Sequence, residues 1–154
     1  MPKYVRDLIA LYGPDREGLQ KVAVFYEKID PETNLERVAL RYYRQYVGVY
    51  WERFGERNWM AAWELLYARP PGNKGDIVNE FKAVNDIYDI LLMRLQLDSE
   101  NWETAEQTLT TAYDHRDVID LRIYQVGDTE AIVGRAIVGC RSNGETTIVL
   151  VSYG

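Results

Sequence analysis

One imidazole, His115, and one thiol, Cys140, are the whole stock of such groups in this chain of 154 residues. His115 lies between Asp114 and Arg116, with Asp117 and Asp120 close by. A carboxylate beside an imidazole can orient it for acid–base work, and a divalent ion can gather acidic ligands there. One histidine needs oxygen ligands from elsewhere to complete a metal site, however, and no calcium-loop spacing is present. Polar residues joining a helix to a strand also make an ordinary loop, which is the preferred reading. No catalytic residue, metal ligand or cofactor is assigned.

Gly72, Asn73, Lys74, Gly75 and Asp76 precede a helical pattern, and backbone N–H groups at a helix start can hold phosphate. The run lacks phosphate-loop spacing, follows a helix rather than a strand, and would place the Asp76 carboxylate where the anion belongs, so it reads as a linker. Arg37, Arg41 and Arg44 recur at steps of four and three, a basic stripe continued by Arg53 and Arg57. It is either a solvated face with Glu36 and Glu52 as local partners, a dock for an acidic protein, or a row of phosphate contacts. Twelve tyrosines against three phenylalanines, with four tryptophans, give an apolar surface that carries hydroxyls. Such side chains make interface hot spots, shallow cores or hydroxyl-lined cavities.

A net charge of -6 repels phosphate backbones and anionic membranes over most of the surface, which argues against nucleic acid as a partner. A lone cysteine forms no internal disulfide, and Cys140 beside Val138 and Gly139 reads as a small apolar strand residue in a reducing compartment. Lys3, Arg6 and Asp7 stand where a secretory signal would carry its apolar run, and no stretch approaches the roughly 18 apolar residues of a membrane span. The cytoplasm is the expected location.

These groups must be held by elements whose signals change along the chain. Helical spacing dominates to about residue 113, and period two from about 118. Tyr4, Leu8 and Leu11 predict a first helix ending at Gly13 and Pro14. Leu19, Val22, Tyr26 and Ile29 suggest a second, although Val22 to Tyr26 also fits a strand. Asp30 before Pro31 opens a long helix to Phe54, with Leu35, Val38, Tyr42, Tyr46, Val49 and Tyr50 on one apolar stripe and Leu40, Tyr43, Val47, Trp51 and Phe54 on a second beside it. Asn58 caps a short helix bearing Trp59, Trp63, Leu66 and Tyr67. From Asp76, the spacing of Ile77, Phe81, Val84, Tyr88, Leu91 and Leu95 predicts a helix to about residue 97, packed on the 31–54 helix or forming a homodimer seam. Ser99 caps a last helix with Trp102, Ala105, Leu109 and Ala112 inward.

Three strands follow: one with Ile119, Leu121 and Ile123 on one face, one over about 131–141 and one over about 146–153, the last two joined at Asn143–Gly144 by a two-residue turn. That turn sets Cys140 opposite Thr147, Val138 opposite Val149 and Ala136 opposite Val151. It leaves Ile137, Ile148 and Leu150 on the second face, where a solvated three-stranded sheet has no need of them. The stretch Ile123–Gly127 with Ile137, Val138 and Gly139 resembles the closing strands of nuclease A inhibitor-like proteins over less than a quarter of the chain. The helical two thirds depart from that pattern, and no functional residue is carried over.

The expectation is a single α+β domain, an N-terminal bundle of about five helices before a C-terminal three-stranded antiparallel meander. Its expected role is that of a non-catalytic interaction or regulatory protein, of inhibitor, immunity or assembly-adaptor type. Partner contacts are expected at Arg37, Arg41, Arg44, Ile137, Ile148 and Leu150. The rival is a small-molecule binder or minor enzyme with a tyrosine-lined cavity between helices and sheet.

Overall fold

The computed structural model describes residues 1–13, 22–84, 90–96 and 102–154. Five strands, β1 (Val22–Lys28), β2 (Glu64–Ala68), β3 (Val118–Gly127), β4 (Val133–Arg141) and β5 (Glu145–Tyr153), form one antiparallel sheet in the order β1–β5–β4–β3–β2. The described helices are α1 (Lys3–Tyr12), α2 (Leu35–Val47), α3 (Val49–Phe54), α4 (Glu56–Met60), α5 (Ile77–Ala83), α6 (Ile90–Leu95) and α7 (Trp102–Tyr113). The three-stranded expectation is corrected: the meander β3–β4–β5 is extended on one side by β1 and on the other by β2.

Both additions hide in the sequence for physical reasons. In β1, Ala23 and Phe25 pack on one face and Val24 on the other, so no apolar–polar alternation marks the strand. It pairs along its whole length with β5, Val22 opposite Val151 and Lys28 opposite Glu145. Strand β2 is short, lies on the edge, and has a bulge between Leu65 and Tyr67 that breaks its period of two. Trp63, Leu66 and Tyr67 therefore imitate helical spacing, and the helix expected there ends at Met60.

The sheet is covered on both faces rather than capping a bundle. Leu121, Ile123, Ile137, Val149 and Val151 join α1, α5, α6 and α7 in one core. Tyr124, Ala136, Val138, Ile148 and Leu150 join α2, α3 and α4 in the other. The two long helices expected to pack together are thus each broken and separated by the sheet. Ile77, Phe81, Leu91 and Leu95 are buried in the first of these cores. Leu19, Tyr88 and the Ser99 cap lie outside the described residues.

The β4–β5 hairpin corrects the expected register by one residue. The Gly144 N–H donates to Arg141 O at 2.9 Å and Gly144 has φ 92°, which makes a three-residue loop rather than a two-residue one. Cys140 consequently faces Thr146, Val138 faces Ile148 and Ala136 faces Leu150. A one-residue slip sends every side chain of a strand to the other face. A second bulge, between Val118 and Asp120 on β3, turns Ile119 out to solvent, where alternation placed it inward.

The long helix expected over 31–54 starts late, with Asn34 as its cap (Arg37 N–H to Oδ1, 3.2 Å), and breaks at Gly48. Gly48 has φ 67° and ψ -134°, a conformation in which a Cβ is strained. The break redirects α3. No described helix is long and apolar enough to cross a membrane. Gly48→Ala is expected to cost ~1–3 kcal/mol of stability, read as a lower urea midpoint; an unchanged midpoint would mean that the chain bends here without needing glycine.

Candidate functional site

Two places on the molecule bring functional side chains together. The first is a half-open cleft of about 560 Å³ between the 69–75 loop and residues 114–121. Its floor is Arg69, whose side chain is 6% exposed. Arg69 binds Glu80 through Nε (2.9 Å) and Nη2 (2.6 Å), Asp114 Oδ1 through Nη2 (3.0 Å), and the Tyr113 carbonyl through Nη1 (2.8 Å). Asp114 also accepts the Ile77 N–H at 2.9 Å, and Tyr67 donates its hydroxyl proton to Glu80 at 2.6 Å. One guanidinium thus ties the end of β2 to the start of α5 and the end of α7.

The two carboxylates on that guanidinium shift in opposite directions. Burial pushes both up, but two charge-assisted bonds from Arg69 and the Tyr67 hydroxyl outweigh it at Glu80, which is held below the ordinary carboxylate range. At Asp114 burial prevails, because the Ile77 N–H and Arg69 are opposed by the charges of Glu80 and Asp76, and its pKa is raised.

His115 stands on the wall of this cleft with 43% of its side chain exposed. Its Nδ1 accepts the Asp117 backbone N–H at 3.1 Å, although the Asp117 carboxylate is 3.6 Å away. In an oriented acid–base pair Nδ1 donates to the carboxylate and leaves Nε2 free as a base. Here a backbone N–H occupies Nδ1, the position an orienting carboxylate would take. Arg69 in the cleft is matched by Glu80 and Asp114, and Arg116 lies 3.9 Å from Asp117, while Lys74 lines the cleft without an ion pair among the described residues. No tyrosine among the described residues lines it. No group of three or more candidate metal ligands occurs among the described residues. Cys140 is half-buried beside a smaller cavity of about 150 Å³.

The second place is the outward side of α3. Val49, Tyr50 and Phe54 are 69%, 38% and 56% exposed, while Trp51 between them is buried. Trp51 meets Tyr43 edge-on at 5.5 Å, and the Tyr43 hydroxyl donates to the Trp59 carbonyl at 2.7 Å. Trp59 in turn donates from Nε1 to the Tyr50 carbonyl at 2.8 Å, which fixes α4 against α3. Tyr50 and Phe54 are stacked with ring centres 6.2 Å apart. A rigid base therefore presents the exposed side chains.

Two arginines lie against rings of this helix. Arg44 lies 5.7 Å from the centre of the Trp51 ring and Arg53 5.4 Å from that of Phe54. Arg41 is paired with Glu27 at 2.5 Å and Arg44 with Glu52 at 2.6 Å, all on the surface. Arg37, Arg53 and Arg57 are exposed and make no ion pair among the described residues. The three arginines singled out by spacing thus lie on the exposed side of α2. Ile137, Ile148 and Leu150 do not join them: at 0%, 1% and 0% exposure they are core, Ile137 under α1, α5, α6 and α7 and the other two under α2, α3 and α4. Sequence reasoning missed Val49, Tyr50 and Phe54, which it placed on inner stripes; the available signal was Gly48, an isolated glycine within a helical pattern.

No family model, curated protein or solved structure matches the chain. The resemblance of its closing strands to nuclease A inhibitor-like proteins gains no support.

Glu80 supplies a pH test. Its folded pKa is depressed, so its contribution is fully present above the unfolded carboxylate pKa and is lost as pH falls through the folded value. Asp114, with a raised pKa, acts in the opposite sense. Glu80→Gln should therefore flatten the loss of stability on the acid side, measured by urea unfolding between neutral pH and the carboxylate range; an unchanged acid limb would mean that Arg69 does not bind Glu80 this way. Arg69→Met leaves two buried carboxylates without their cation and is expected to cost ~3–5 kcal/mol.

Proposed function

We propose that this chain acts by docking a protein partner on the outward side of α3, as a non-catalytic cytoplasmic regulator of inhibitor, immunity or assembly-adaptor type. The supporting observation is the exposure of Val49, Tyr50 and Phe54 together on one six-residue helix. Full burial of such a side chain is worth roughly 1.5–3 kcal/mol. Both cores are filled by other residues, so among the described residues this apolar area is not used to close either core. Aromatic anchors with an arginine beside them, as Arg53 lies over Phe54, are also the residues that dominate interface energies.

The rival reading, a small-molecule binder, has the cleft beside Arg69 as its place. Volume alone speaks for it: the expected hydroxyls are elsewhere, and His115 is not oriented as a base.

Affinity capture from the native host separates the two. Tyr50→Ala and Phe54→Ala should each weaken recovery of a discrete partner by about tenfold or more, with circular dichroism unchanged. Ile119→Ala, which removes an equally exposed apolar side chain elsewhere, should leave recovery intact. Loss with Ile119→Ala alone, or equal recovery by all variants, would overturn the docking face.

A further inference from the structure

We infer that the occupant of the α3 face is an acidic amphipathic segment, with apolar anchors against Val49, Tyr50 and Phe54 and carboxylates at the neighbouring arginines. This inference rests on the docking reading above and adds the chemistry of the partner.

Charge placement is the first argument. Residues 37–57 hold five arginines against two glutamates; with Glu27, bound to Arg41, and Glu36 counted, the excess is still +1 in a chain whose net charge is -6. The remainder therefore carries -7 and repels any extended anionic body. A nucleic acid or an anionic membrane would meet that remainder as well as the basic face. A short acidic segment touches the basic face alone, and the repulsion elsewhere restricts it to that place.

Availability is the second. Arg53 and Arg57 have no carboxylate partner among the described residues. The pair Arg44–Glu52 is exposed, with 76% of the Glu52 side chain in solvent. Such a pair contributes ~0–1 kcal/mol, so a carboxylate delivered by a partner can displace Glu52.

Geometry is the third. A guanidinium lying over a ring keeps its N–H groups in its own plane, free to grip a carboxylate in two places. Arg44 over Trp51 and Arg53 over Phe54 set such donors beside the apolar centre. A six-residue helix is ~9 Å long, which two or three turns of a partner helix would cover.

Three synthetic helical peptides with the same leucine and phenylalanine anchors at i, i+3, i+4 and i+7 test this, their polar positions filled with Glu, Gln or Lys. Fluorescence anisotropy should rank the Glu peptide tightest, with affinity falling as salt rises. The Arg53→Glu, Arg57→Glu double variant, checked for fold by circular dichroism, should weaken the Glu peptide about tenfold or more and favour the Lys peptide. Equal binding of all three, binding of none, or tighter binding of single-stranded RNA or of phosphatidylserine vesicles would overturn the acidic segment. If the peptides fail while Phe54→Ala still abolishes capture of the native partner, only the chemistry of the occupant falls; if capture is also unaffected, the docking face falls with it.

Discussion

Strand β5 constrains everything around it. From Thr146 to Ser152 seven consecutive residues are buried, so the sheet has no face that can be left to water. Continuous apolar strands of this kind require a layer on each side. The chain meets that requirement by sending α1, α5, α6 and α7 to one face and α2, α3 and α4 to the other. Once Trp51 and Trp59 have been spent on the second core, the helix between Gly48 and Gly55 has only its outer side chains left, and Val49, Tyr50 and Phe54 among them are apolar. The candidate docking face is thus a remainder of how the core is closed.

The Arg69 group shows the same logic at the sheet edge. Strand β2 has a neighbour on one side only, and its pairing is interrupted by a bulge. A bidentate ion pair to Glu80 and a bond to the Tyr113 carbonyl fasten it to helices of the first layer. Nothing in the sequence near Arg69 announces this, because its partners stand 11, 44 and 45 positions away.

Legibility followed the range of the interaction. Local signals were sufficient for α1, α7 and the three meander strands, where spacing and turn residues decide the structure. They failed at β1 and β2, where pairing with β5 and β3 overrides spacing that looks helical. The hairpin was visible at Asn143–Gly144, but the loop length was not, and one residue was enough to exchange the faces of β5 against β4. Ile137, Ile148 and Leu150 were expected together on one face as partner contacts, but the observed register puts Ile137 on one face and the other two on the opposite one, all covered by helices from distant segments. Arg37, Arg41 and Arg44 lie on the exposed side that their spacing indicated. Val49, Tyr50 and Phe54 escaped because a periodicity continued through Gly48 put them inward, and only the backbone turn there shows otherwise.

Chemistry in the cleft looks different in three dimensions from its appearance in sequence. The cluster Asp114–Asp117 suggested an oriented imidazole, but Asp114 is bound to Arg69 and the Ile77 N–H, while the backbone of Asp117 holds the ring nitrogen that a carboxylate would have to take. Contact, rather than bond making, is therefore the reading carried by the exposed aromatic and basic side chains. Its most direct test is a photo-reactive amino acid placed at residue 50 in living cells of the native host, with the same group at exposed Met93 as the reference. The account predicts one discrete covalent adduct from residue 50 and none from residue 93; adducts that are diffuse and alike at both positions, or absent at residue 50, would contradict it.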